Sequence, residues 1–190
     1  MNRILQIFKR PELRNKVLFV LALLVVSRMI SNVPIPAVDA DRLKDFFAQN
    51  QFFGLVSAFT GGSLTALSIG MLGLGPYITG SIIMQLLTMI FPQLEQMYKY
   101  EGEAGRAKFN QYSRALTIPL ALLQGFGFLT LLSRQQVIGP LSTIEWATTL
   151  ITVTAASMLL MWLGELITEK NIGNGVSLLI LAGIVAGLPT

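Results

Sequence analysis

Apolar residues in this chain come in long blocks, without the polar face that a soluble helix or strand would show. Four blocks are almost free of charge: Val17 to about Ser31, Pro76 to Phe91, Ala115 to Leu132, and Ala147 to about Leu163. A membrane helix needs about 17–25 such residues at about 1.5 Å of rise each. A fifth block, Ile172 to Leu188, is apolar but is interrupted by Gly173, Asn174 and Gly175. The pattern predicts an all-α integral membrane protein. Its expected spans are residues 17–31, 76–91, 115–132, 147–163 and 172–188, following a tail of residues 1–16.

One apolar stretch does not read as a span. Residues 54–75, GLVSAFTGGSLTALSIGMLGLG, are greasy enough for a membrane but are repeatedly broken by glycine. Irregular backbone survives at membrane depth only inside protein or beside a water-filled cavity. A re-entrant element is expected here, entering from outside as a short helix, turning, and continuing into Pro76. Proline suits the first turn of a helix, where its missing N–H costs nothing.

The polar connections set orientation. Residues 33–53 carry Asp39, Asp41, Arg42, Lys44 and Asp45 and read as an external loop. Residues 92–114 read as a long charged loop, and residues 164–171 as a short turn. With the N-terminus inside, the inner segments hold ten basic residues: Arg3, Lys9, Arg10, Arg14, Lys16, Lys99, Arg106, Lys108, Arg114 and Lys170. The outer loops hold three, Arg42, Lys44 and Arg134. Basic residues accumulate on the cytoplasmic side, so the N-terminus is expected inside and the end of the chain outside. The tail places Ile4, Leu5, Ile7 and Phe8 among its cations, as an amphipathic interfacial helix would.

Composition narrows the chemistry. Charged residues make up 13% of the chain, against about 25% in an average soluble domain. There is neither Cys nor His, which removes thiolate nucleophiles, imidazole bases and the usual zinc ligands. No phosphate-binding G-x-x-x-x-G-K-[ST] pattern occurs. No enzyme activity, metal or cofactor is expected. The basic residues flank greasy segments rather than clustering with aromatics on a polar surface, so no nucleic acid is expected to be recognised directly.

Two stretches then carry a resemblance. GLGPYITGSIIMQLL (73–87) resembles the second-span signature of the SecY/Sec61 family of translocon channels. WLGELITEKNIGNGVSLLILAGIVAGLP (162–189) is similar to that family's fourth-to-fifth-span signature. YEGEAGRAKFNQYSRALT (100–117) looks like the cytosolic loop, and AFTGGSLTALSIG (58–70) like the plug. The motifs run in the family's order over essentially the whole chain. The family has ten spans in two pseudo-symmetric halves, and this sequence covers the first five with the re-entrant plug.

The resemblance implies an hourglass pore for unfolded polypeptide. The plug, about residues 55–72 and centred on Phe59, Thr60, Gly61, Gly62, Ser63 and Leu64, seals the outer funnel. The ring at the waist takes Leu74, Ile78, Val176 and Ile180. Each pair is four residues apart, on one helical face, and a narrow aliphatic constriction excludes water and ions. Gln85 and Gln124, in the second and third spans, are the candidate polar latch of a lateral gate, with Gln85 preferred because it lies inside a motif. Arg106 and Lys108 are the candidate contacts for a cytosolic partner. Expected companions are SecE, SecG, SecA or the ribosome, and a carboxy-terminal SecY half. The substrate is a signal-sequence-bearing polypeptide, and the setting is lipid in a bacterial-type plasma (inner) membrane.

Three rivals remain open on sequence. A small-solute secondary transporter also uses broken helices, but needs ionisable groups at the midplane; here only Arg28 and Glu165 lie near a span, both at span ends. An intramembrane enzyme needs a nucleophile with a base, paired carboxylates or a metal, and Ser157 has no visible base. An insertase-like half-channel would present an open polar groove instead of a plug and an apolar ring.

Overall fold

The computed structural model describes residues 11–35 and 67–187. The plug candidates Phe59, Thr60, Gly61, Gly62, Ser63 and Leu64 lie outside the described residues, as do residues 1–10 of the tail. The described residues form helices α1 (Pro11–Ser31), α2 (Gly75–Ile90), α3 (Pro92–Lys99), α4 (Gly102–Arg134), α5 (Thr143–Glu169) and α6 (Gly175–Gly187). Among them, α4 and α5 are each long and apolar enough to cross a membrane. Helices α2 and α3 reach that standard only as a bent pair, turned through 112°. The bend falls at Phe91, which is extended (φ −108°, ψ 107°). A residue before proline is pushed out of the helical region, and Pro92 cannot donate to the turn before it.

The charged connection at residues 92–114 is itself helical. It is α3 followed by the first turns of α4, with Gly102 (φ +64°) making the reversal between them. Alternating charges on these turns suit a solvated helical surface. Lys99 donates to Glu95 one turn earlier at 2.8 Å, and the Glu95 carboxylate raises the Lys99 pKa above its usual value. At about 1.5 Å per residue, the 33 residues of α4 reach about 50 Å, well beyond the roughly 30 Å of bilayer hydrocarbon. Its charged first third therefore extends past the membrane.

Helix α4 is the spine. Gly105, Phe109, Ser113, Thr117, Ala121, Gly125 and Leu129 are buried, one at every fourth position. A fourth-residue row turns about 40° around the helix at each step, since one turn takes about 3.6 residues. The buried row thus faces different neighbours in succession. Phe109 meets Tyr98 of α3, with ring centroids 4.8 Å apart. Ser113 and Thr117 meet Gly80 of α2, and Gly125 meets Leu150 of α5. Small residues along this row let helices approach closely where lipid supplies no hydrophobic drive between them.

Two apolar clusters result. The first joins Ile35, Leu67, Met71, Leu129, Leu132, Val137, Ile138 and Val153. The other joins Val20 of α1 and Leu74 at the start of α2 to Leu160, Met161, Leu163 and Ile167 of α5 and Leu179 of α6. The Ser142 hydroxyl and the Glu145 carboxylate cap the start of α5 reciprocally.

The turn from α5 into α6 is the tightest approach. The Gly175 N–H donates to the Thr168 hydroxyl at 2.9 Å, and the Asn174 side chain accepts from the Ser177 N–H at 3.1 Å. A Cβ on Gly175 would collide with the Gly164 carbonyl, whereas one on Gly127 meets nothing within 4 Å. Gly175→Ala should therefore lower stability by about 1–3 kcal/mol, the usual cost of overpacking. Gly127→Ala should be neutral or slightly stabilising, and thermal unfolding in detergent micelles measures both.

Candidate functional site

Between Ser31 and α2 the described chain makes a short non-helical passage, bridged and turned by its own backbone. The Ile35 N–H donates to the Leu67 carbonyl at 2.9 Å, and the Ile69 N–H to the Val33 carbonyl at 2.9 Å. Pro34 and Ser68 thus form an antiparallel bridge. Met71, Gly73 and Gly75 then donate in turn to the carbonyls of Ser68, Gly70 and Leu72. Leu67 and Ser68 are 0% exposed and Met71 1%. Leu67 holds a positive φ of 39°, which a branched side chain rarely adopts. Residues 67–72, the last of the plug candidate, are therefore built into the first cluster.

This passage sets the depth at which α2 begins. Gly75 lies against Gln124, whose side-chain oxygen is 3.8 Å from where a Cβ would stand. Gln124 lies ten residues before Arg134, the last residue of α4, which is about 15 Å along the axis. Helix α2 thus starts about halfway along the membrane part of α4, and Leu74 and Ile78 occupy its first turn.

The four ring candidates share one apolar cluster. Leu74 is buried in it, and Ile78, Val176 and Ile180 are half-buried and packed against it. Helices α2 and α6 do not lie against each other; both lean on α5. Val176 and Leu179 pack over Gly164, 3.2 and 3.3 Å from where its Cβ would be. Two short helices thus present aliphatic side chains to one cluster, joined through a third helix.

The two gate candidates are not brought together. Gln124 bonds from its amide nitrogen to the Thr79 hydroxyl on α2, at 3.4 Å. Gln85 is exposed, and its backbone carbonyl accepts from the Thr88 hydroxyl at 2.6 Å. Within the described residues the contact between α2 and α4 is made by Gln124, not by Gln85. Motif position carries no information on which side of a helix a residue faces. Arg106 and Lys108 are exposed on the first turns of α4.

Three contacts were not anticipated. Arg114 of α4 pairs with Glu165 of α5, Glu165 being only 15% exposed. The Lys170 ammonium stands 4.9 Å from the centre of the Phe19 ring of α1. The Arg28 guanidinium donates to the carbonyls of Ala182 and Gly183 in α6, at 3.0 and 2.8 Å. Opposite charges at matching depths were the available signal for the first. Nothing local marks the last, because its acceptors are backbone carbonyls more than 150 positions away.

A profile of the SecY family matches residues 68–190. The chain belongs to the SecY family. It is 45% identical over 203 residues to the protein translocase subunit SecY of Corynebacterium glutamicum, covering 100% of this chain and 46% of that protein. It is 46% identical over 180 residues to the same subunit of Pseudomonas aeruginosa, covering 94% and 40%. The chain thus spans less than half the length of these SecY relatives. Two solved structures share its fold with a TM-score of 0.63 at 21% identity: Sec61 in the canine ribosome-channel complex from the endoplasmic reticulum, and a protein-conducting channel. Each covers 90% of this chain and 36% of the other. Among the described residues every regular element is a helix, as expected.

The contrast between the two glutamines is directly testable. Gln124→Leu should cost about 0.6 kcal/mol, the usual size of an interhelical hydrogen bond in a membrane, and Gln85→Leu should cost nothing measurable. A double-mutant cycle of Gln124→Leu with Thr79→Val should recover that coupling, and zero coupling would exclude the bond.

Proposed function

We propose that this chain forms the amino-terminal half of a protein-conducting channel that passes unfolded polypeptide across the membrane and sideways into lipid. One observation carries the proposal. Leu74, Ile78, Val176 and Ile180 gather in one apolar cluster although they come from two helices that do not pack on each other. A lipid-facing surface needs no such convergence, and an insertase groove would be polar. Aliphatic side chains around a narrow opening repel water and ions at rest and spread around an extended peptide.

In this proposal the five spans are α1, the α2–α3 pair up to its bend, the apolar part of α4, α5, and α6 with the residues that follow it. The N-terminus is cytoplasmic and the far end external. The plug is residues 59–64 and their neighbours. Its moving part stops short of Leu67, since burial and the Pro34–Ser68 bridge support a fixed position for residues 67–72. Helices α2 and α4 border the lateral gate, and the weak Gln124–Thr79 bond joins them. The remaining SecY half supplies the opposite wall, with SecE and SecG as companions. SecA or the ribosome supplies the drive, and the exposed Arg106 and Lys108 offer contacts for it. The substrate is a polypeptide bearing a signal sequence.

The test is Ile78→Asp in the complete channel, reconstituted in vesicles. A charge in the ring should hold water in the constriction and raise resting ion efflux about tenfold or more over the unmodified channel. Ile82→Asp, at an exposed position of the same helix (50% exposed), should not. Equal efflux from the Ile78→Asp and unmodified channels would remove these residues from the waist.

A further inference from the structure

Helix α1 has no place in the proposed ring, yet it carries the most unusual charge in the molecule. Arg28 sits in the last turn of α1, between the strongly exposed apolar residues Val25 and Met29. Val33 and Ile35, which follow, are already bonded into the buried outer passage. A long cation at the end of a membrane helix is free to snorkel to the interface, yet this one is turned onto α6.

Its bonds define its task. A single guanidinium nitrogen, Nη2, donates to two successive carbonyls, Ala182 at 3.0 Å and Gly183 at 2.8 Å. Those carbonyls lie within one turn of Ile180. Backbone carbonyls in a helix keep a second lone pair after accepting their own helical bond. Negative partial charge also accumulates toward the C-terminal end of a helix, which attracts a cation. Side chains as small as Ala182 and Gly183 leave the approach open. Leu181 and Val185 on the same helix are 55% and 58% exposed, so apolar packing alone holds this part of α6 weakly.

We infer that Arg28 is a positioning residue for the ring: by gripping α6 at Ala182 and Gly183 it fixes where Ile180 and Val176 stand. The inference rests on the ring proposed above. A second cationic contact ties the middle of α1 to the same hairpin, where Lys170 stands over Phe19. Helix α1 thus braces the α5–α6 hairpin at two depths. The outer brace is the one beside the ring.

The test uses the complete channel with its partner subunits, in vesicles. Arg28→Met, similar in length and uncharged, should raise resting ion efflux several-fold. Arg28→Lys retains a charged donor without the planar fork and should restore part of the seal. Spin labels at the exposed positions 25 and 185 should give a broader distance distribution in Arg28→Met than in the parent, and an intermediate one in Arg28→Lys. An unchanged distribution would show that Arg28 does not hold α6. A broadened distribution with parent-like efflux, while Ile78→Asp leaks, would show that it holds α6 without serving the seal. Either result overturns the inference. If Ile78→Asp does not leak, the ring itself is misplaced, and the label distances still decide whether Arg28 holds α6.

Discussion

Hydrocarbon offers no hydrogen bonds, so every backbone N–H and C=O at membrane depth must find its partner within the protein. Most of this chain obeys by being helical. Among the described residues an exception is the passage from Leu67 to Leu74, and the surrounding structure is arranged around it. Val33 and Ile35 supply the backbone partners that a helix would have supplied. Leu129, Leu132 and Val153 cover it. Because the passage is both bonded and covered, α2 can begin halfway into the bilayer rather than at its surface. That starting depth puts Leu74 and Ile78 in the region of α5 and α6.

The same economy appears at α6. Its 13 described residues reach only about 20 Å, too short to cross a bilayer alone. Gly164 and Gly175 let its first turn press into α5, and Arg28 reaches its outer part from α1. Both short helices are thus held by neighbours, one through a backbone bridge and one through a glycine contact and a cation.

Much of this was legible in the sequence. Blocks of apolar residues located the long helices, because a lipid-facing helix must be greasy over its full length. Glycines between residues 54 and 75 marked an irregular passage, and the described part of it is irregular. The signatures at 73–87 and 162–189 led to the SecY family. Rotation about a helix axis was what sequence position could not supply. Gln85 and Thr79 are six residues apart, so they point about 120° apart around α2, and the helix turns Thr79, not Gln85, toward α4. Charges at 92–114 were read as loop because span-finding treats every charged stretch alike. The spacing of Glu95 and Lys99 already matched a helical turn. Arg28 was visible as a charge near a span end, but its acceptors bear no side-chain signature at all.

The buried row on α4 has a consequence for how substitutions in it should be read. From Gly105 to Leu129 the row takes six steps, each of about 40°, so it precesses through roughly 240°. No single arc of this helix faces protein from end to end, and none faces lipid throughout. A helical-wheel diagram of α4 would average the buried and tolerant sides into an almost featureless ring. The permissive arc must instead be tracked turn by turn, drifting around the rod as its neighbour changes from α3 to α2 to α5.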